Sequence, residues 1–146
     1  MTNKLVALEN KKFGFEVVCR NTKLVQTPEQ VLALYLGKMK TYFEKHNVNA
    51  NSMVISVPTY ATNIERQAYL DAAEIAGIRC VRLLNESTAI ALTYGYFKKA
   101  EFDQKRPRIV AFVDFGHSKL TVTFCSFLPG KTKVLMTHSD RNIGAR

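Results

Sequence analysis

The chain has 146 residues, 47% of them hydrophobic and 23% charged, the make-up of one ordinary globular domain that buries about two-thirds of its unfolded surface. No apolar run approaches the ~20 residues needed to cross a bilayer, and Met1 to Glu9 lacks the apolar stretch and small-residue cleavage site of a secretory signal. The formal net charge of +9 suggests nucleic acid or an anionic surface, but the basic residues are dispersed from Lys11-Lys12 to Lys131 and Lys133, without a block of about five or six, so a solvated surface is expected, with no specific nucleic acid and no membrane as partner.

Residues 1–12 carry no clear period. Phe13, Phe15, Val17 and Cys19 alternate as a strand does, and Arg20-Asn21-Thr22-Lys23 reads as a turn into Leu24-Val25. Thr27-Pro28-Glu29-Gln30 is a strong helix start, with Thr as N-cap, Pro in the first position and Gln closing a capping box. The apolar stripe from Val31 to Phe43 carries that helix to His46, which suits a helix end better than a catalytic base. Met53 to Val57 is a short strand stopped by Pro58; Thr62-Asn63-Ile64-Glu65 is a second capping box, and Gly77 ends its helix.

Cys80 to Leu84 is another strand, and Asn85-Glu86-Ser87-Thr88 opens a helix reaching Phe97. Ser87, Ala91 and Gly95 recur every four residues along it, a strip of small side chains that predicts a close crossing with a neighbour. Residues 98–107 read as a polar linker, followed by strands over 108–115, 119–127 and 131–138, the last two joined through Pro129-Gly130. Helices between short apolar strands imply an α/β sheet with crossovers. The cysteines, Cys19, Cys80 and Cys125, are odd in number and widely spaced, which argues against a disulfide framework or zinc site and for a reducing compartment.

The stretch Arg108-Ile-Val-Ala-Phe-Val-Asp-Phe-Gly-His-Ser-Lys119 carries the most chemistry. The run Ile109 to Val113 reads as a strand buried on both faces, as inside a parallel sheet. It stops at Asp114, and Gly116 supplies a turn where backbone can approach a ligand. A carboxylate at a strand mouth followed by turn amides suits a metal-bound phosphate. Read alone, the same pair in a hairpin more often serves turn geometry. Asp114, His117 and Ser118 do not form a hydrolase triad, because adjacent residues rarely present both side chains to one centre.

Further segments join it in a recognisable order. Val54-Ile-Ser-Val-Pro-Thr-Tyr60 leads through Glu65-Arg-Gln67 to Asp71-Ala-Ala-Glu-Ile-Ala-Gly77; Arg82-Leu-Leu-Asn-Glu-Ser-Thr-Ala89 and Tyr94-Gly95 follow, and Asp114-Phe-Gly-His-Ser118 completes the set. From about Thr27 to Arg146 the chain resembles the ATPase domain of the seventy-kilodalton heat-shock chaperones, which has the actin and sugar-kinase fold. His117-Ser118-Lys119 stands where ordinary members carry glycine-glycine-threonine, and His-Ser there resembles the large, hundred-and-ten-kilodalton branch.

The fold this resemblance implies is α/β, a partial actin-like (ribonuclease H-like) ATPase domain: a half-sheet with crossover helices from the first lobe and the opening strands of the second. Residues 1–37 would belong to the small subdomain of the first lobe, 38–100 to its main subdomain, 101–107 to a linker and 108–146 to the second lobe. Asp114 matches the carboxylate that helps organise magnesium and the attacking water, and Glu86 matches the connecting-motif carboxylate near the same metal; without the resemblance, Glu86 reads as an acidic residue favourable to a helix dipole. Gly116, His117, Ser118 and Lys119 match one phosphate loop, and Gly144-Ala145-Arg146 the start of another, where Ala145 adds a methyl to a usual glycine. Pro58, Tyr60 and Arg66 match positions that relay nucleotide state between domains.

The cofactors so implied are ATP or ADP with magnesium in a longer parent protein. The partners are ordinary seventy-kilodalton chaperones, for which the large branch acts in nucleotide exchange, and unfolded polypeptides, which it holds; the implied location is cytoplasmic. The family's first phosphate loop, catalytic lysine and adenosine-contacting segments have no counterpart here, so the chain reads as an internal piece that by itself neither hydrolyses ATP nor binds it tightly, and that self-associates through unpaired strand edges. A piece of a sugar kinase and a basic nucleic-acid-binding module are the alternatives.

Overall fold

The computed structural model describes residues 4–8, 13–19 and 22–145; Lys11, Lys12, Arg20, Asn21 and Arg146 lie outside them. Eight strands and three helices follow in chain order: β1 (Lys4–Ala7), β2 (Phe13–Cys19), β3 (Thr22–Gln26), α1 (Pro28–Lys45), β4 (Ser52–Val57), α2 (Asn63–Ile75), β5 (Arg79–Asn85), α3 (Glu86–Phe97), β6 (Arg108–Phe115), β7 (Leu120–Leu128) and β8 (Lys131–Asp140), with a 3-10 turn at Lys99–Glu101. This is the mixed α/β order read from the sequence, with one addition. β1 escaped because a four-residue strand shows no period; it is defined by its antiparallel pairing with β2, Leu5 opposite Phe15 and Val6 opposite Gly14. No helix among the described residues is long and apolar enough to cross a membrane.

The chain divides into two compact units, residues 1–55 with 62–83, and 56–61 with 84–146. The first contains the antiparallel sheet β1-β2-β3 and helices α1 and α2. Both helices begin in complete capping boxes: Thr27 Oγ1 accepts from the Gln30 amide and Gln30 Oε1 from the Thr27 amide, and Thr62 and Glu65 repeat the exchange. α2 stops at Gly77, whose φ of 64° costs little without a β-carbon. Ala33 and Leu36 of α1 meet Ala72 and Ala73 of α2 over Ile78, and small side chains let the two backbones come close.

In the second unit α3 lies on the antiparallel sheet β6-β7-β8. The strip of small residues is the packing face: Ala91 is fully buried, Ser87 nearly so, and a β-carbon on Gly95 would come within 2.9 Å of Thr132 Oγ1 and 3.4 Å of the Phe127 ring. Phe127 is fully buried, with Tyr94, Phe102 and Phe112 around it at centroid distances of 5.0–6.2 Å. Phe102 lies just beyond the 3-10 turn, so part of the polar stretch after α3 contributes to the core.

Two patterns depart from what apolar periodicity suggests. The run Ile109 to Val113 is not buried on both faces and does not lie inside a parallel sheet: β6 is the end strand of an antiparallel one. Val110 and Phe112 turn to the aromatic cluster, while Ile109 and Val113 are 55% and 67% exposed. An apolar run reports that burial is favourable, not that a covering layer exists on each side. On β7 the threonine side goes in: Thr121, Thr123, Cys125 and Phe127 are buried, with Phe124 exposed opposite. The buried hydroxyls are satisfied across the β7–β8 ladder, Thr121 by Ser139 at 3.0 Å and Thr123 by Thr137 at 3.2 Å.

Candidate functional site

Most of the residues singled out from the sequence gather in the second unit, at the β6–β7 turn. Asp114 sits next to the end of β6, half-buried and opposite Thr121 of β7. The turn that follows is closed by the Gly116 amide donating to the Lys119 carbonyl at 2.9 Å, which leaves His117 and Ser118 exposed at its tip. The chain after β8 returns to this turn: the Ala145 amide donates to the Gly116 carbonyl at 3.1 Å. Gly144 is pressed against it so closely that a β-carbon would lie 2.3 Å from the His117 carbonyl oxygen. Two glycine-bearing loops far apart in sequence therefore form one backbone surface, and the methyl of Ala145 is accommodated on its exposed side.

Glu86 approaches from α3, as the first residue of that helix, where the dipole favours an acid. Its carboxylate accepts a hydrogen bond from the ammonium of Lys119, a close ion pair in which the lysine side chain is 16% exposed and the glutamate 35%. Burial works to lower the Lys119 pKa, but the hydrogen bond and charge of Glu86, with Tyr60 and Asp114, outweigh it and raise it above the usual lysine range. The Glu86 carboxylate thus holds a cation, and that cation is a side chain of this chain.

Tyr60 completes the group. Its ring lies under two cations, with Lys119 Nζ 5.6 Å and the Arg141 guanidinium 4.8 Å from the centroid. The segment carrying it is held by a Thr59–Ser87 hydroxyl bond of 3.0 Å and by the Ala61 amide donating to the Pro58 carbonyl. Pro58 and Tyr60 belong to the second unit; Arg66, in the first turn of α2, belongs to the first.

Sequence reasoning missed the Lys119–Glu86 pair, since nothing local links positions 33 residues apart. It also missed Arg141, although Asp140-Arg141-Asn142 has the signature of a turn in which an Asp side chain caps a following amide, here Asn142 to Asp140 Oδ1 at 2.8 Å.

A magnesium ion shared by Glu86 and Asp114 would meet a Glu86 carboxylate that already carries the Lys119 ammonium. Among the described residues no three His, Cys, Asp or Glu side chains cluster so as to hold a metal. What the arrangement offers is a turn tip of backbone and small polar groups flanked by a paired and a second carboxylate, and by the Lys119 and Arg141 cations.

Comparison with known proteins gives a consistent picture. The model of the family described as Hsp70 protein matches residues 1–146. The "97 kDa heat shock protein" of Strongylocentrotus purpuratus is 42% identical over 145 residues, covering 98% of this chain and 16% of that protein. A "Heat shock protein homolog" of Saccharomyces cerevisiae is 40% identical over 147 residues, 99% of this chain and 21% of its own length. "Heat shock 70 kDa protein 4" of Homo sapiens is 40% identical over 147 residues, 97% of this chain and 17% of its own. The chain thus spans about a sixth to a fifth of the length of these relatives.

Proposed function

This chain belongs to the Hsp70 protein family, among relatives of its large, hundred-and-ten-kilodalton branch, and from that premise we propose that it forms part of the ATP-binding domain of a heat-shock chaperone. The observation that carries this reading is the backbone surface where the Gly144-Ala145 loop closes on the Gly116–Lys119 turn. Gly144 gives the clearance that one backbone needs to pass another, and two glycine-bearing loops brought together at a turn tip suit a ligand that contacts backbone, as a phosphate does.

On this reading Gly116, His117, Ser118, Lys119, Gly144 and Ala145 line the phosphates, and Asp114 and Glu86 are the acidic groups beside them. His117, Ser118 and Lys119 put side chains where ordinary members carry smaller groups, which supports slow or absent hydrolysis in the parent protein. Pro58, Tyr60 and Arg66 are the relay positions, and residues 1–37, 38–100 and 108–146 the subdomain pieces joined by 101–107. The parent would act in the cytoplasm as a nucleotide-exchange partner of seventy-kilodalton chaperones and a holdase for unfolded chains.

The test is calorimetric. A full-length parent binds ATP, with binding weakened at least about tenfold by G144V, the loss expected when about 1.4 kcal/mol of contact is removed. The 146-residue chain alone shows no micromolar ATP binding, because positioning supplies most of phosphoryl-transfer catalysis and only some of the positioning groups are present. Tight ATP binding by the chain alone, or none by the parent, overturns the reading. The exposed apolar residues of β6 also support self-association of the chain alone, and light scattering from a stable monomer at high concentration would refute that.

A further inference from the structure

We infer that Lys119 is a built-in cation of this site: its ammonium occupies the Glu86 carboxylate and closes it to a divalent metal, so that a phosphate-bearing ligand at the turn tip is met by a side-chain charge. The inference deepens the nucleotide reading and rests on it for the identity of the anion, though not for the cation.

Three observations carry it. Lys119 and Glu86 are directly hydrogen-bonded, with the lysine side chain mostly covered and the glutamate half-buried. The lysine is anchored at both ends, because its backbone carbonyl accepts from the Gly116 amide within the turn and its Nζ lies over the Tyr60 ring. The base of the pair is fixed as well, since Glu86 opens α3 and its neighbour Ser87 is buried and bonded to Thr59.

The chemistry follows from the size and hydration of the two kinds of cation. Magnesium requires oxygen ligands in a near-octahedral shell and keeps most of its waters, so it reaches a protein through one or two carboxylates free to face it. A lysine ammonium is a compact point charge with three donors, and once one of them holds a carboxylate oxygen a metal must displace it. The lysine is tethered, so it competes at an effective concentration of order millimolar, independent of the metal supplied. A single positive charge also compensates the two carboxylates less completely than a divalent ion does. Arg141, over the same Tyr60 ring, brings a second positive charge, a guanidinium, to this corner.

Mn²⁺, a paramagnetic stand-in for magnesium, titrated alone into the intact protein and followed by electron paramagnetic resonance, tests the cation directly. The unchanged protein binds Mn²⁺ weakly; K119T gains roughly tenfold or more, the size of effect that a change in a ligand's hydrogen-bond partner produces. K119R keeps the site closed, and E86Q combined with K119T abolishes the gain. Equal Mn²⁺ affinity of the unchanged protein and K119T overturns the inference. Carbon NMR of the Glu86 carboxyl in the unchanged protein gives a readout that needs no variant: strong paramagnetic broadening at low Mn²⁺ overturns it as well, and retention of the signal supports it. ATP titrated with and without Mg²⁺ into the parent separates the two readings. Binding insensitive to Mg²⁺ supports both, Mg²⁺-dependent binding that goes with a metal on Glu86 removes the inference alone, and no ATP binding beside a K119T gain removes the nucleotide reading alone.

Discussion

In the first unit the core between α1 and α2 is built of Ala33, Leu36, Ala72, Ala73 and Ile78, so two capped helices come together through side chains that fill little space. In the second, one helix lies on a sheet through Ser87, Ala91 and Gly95, and the volume is filled from the other side by Phe127 and the aromatics around it. The contrast teaches where each unit stores its stability. The first depends on helices that are locally well specified and lightly packed; the second depends on one large residue, Phe127, and on a helix whose strip of small residues lies beside a single bulky one, Tyr94. Glycine illustrates it: Gly37 of α1 has nothing within 4 Å of a β-carbon, whereas Gly95 of α3 has Thr132 and Phe127 against it.

The sharpest way to break the comparison is Phe127→Ala. Removing this fully buried ring should cost about 3–5 kcal/mol and unfold the second unit well before the first in a urea titration followed by NMR. Simultaneous loss of both units' signals with a small change in midpoint would show that the aromatic cluster is not where the second unit's stability resides. Next in size, Gly95→Ala should cost about 1–3 kcal/mol by overpacking, while Gly37→Ala stabilises by about 0.5–1 kcal/mol through helix propensity alone. Effects of the same sign in these two variants, measured by thermal denaturation, would remove the distinction between the helices. Thr62→Ala deletes half of a capping box and should cost about 1 kcal/mol, read as faster amide exchange confined to the first turn of α2.

The smallest effect is electrostatic and belongs to the stretch between α3 and β6. Asp103 accepts from the amides of Lys105 and Arg106, which hold its carboxyl below the usual range; Lys98 and Arg108 do the same for Glu101. A depressed carboxylate contributes stability that is present above its unfolded value and lost as pH falls through its folded one. The Lys105 and Arg106 amide shifts should therefore titrate in acid with midpoints below the ordinary aspartate range, while the buried aromatic cluster stays intact. A midpoint at or above that range would show that these bonds do not persist in solution.

Sequence reading went furthest where the signals were local. The helix starts at Thr27 and Thr62, the stop at Gly77 and the strip of small residues on α3 were all readable, because each depends on residues within one or two helical turns. The strand β1 was not, since its four residues acquire meaning only against β2. Neither was the side of β7 that turns inward, which is decided by Ser139 and Thr137 satisfying two buried hydroxyls. At the candidate site, Asp114, Gly116, Glu86 and Gly144 stand out as motif residues, but the pairing of Glu86 with Lys119 leaves no motif.

What the sequence determined by itself is the order of the elements and the kinds of residue at the two loops, because propensity, capping and turn chemistry act between near neighbours. The tertiary structure alone decided that Lys119 reaches Glu86 and that the chain after β8 folds back on the β6–β7 turn. Contacts between distant positions leave no periodic trace in a chain, since they are made by the packing of α3 and three strands and not by any one of them.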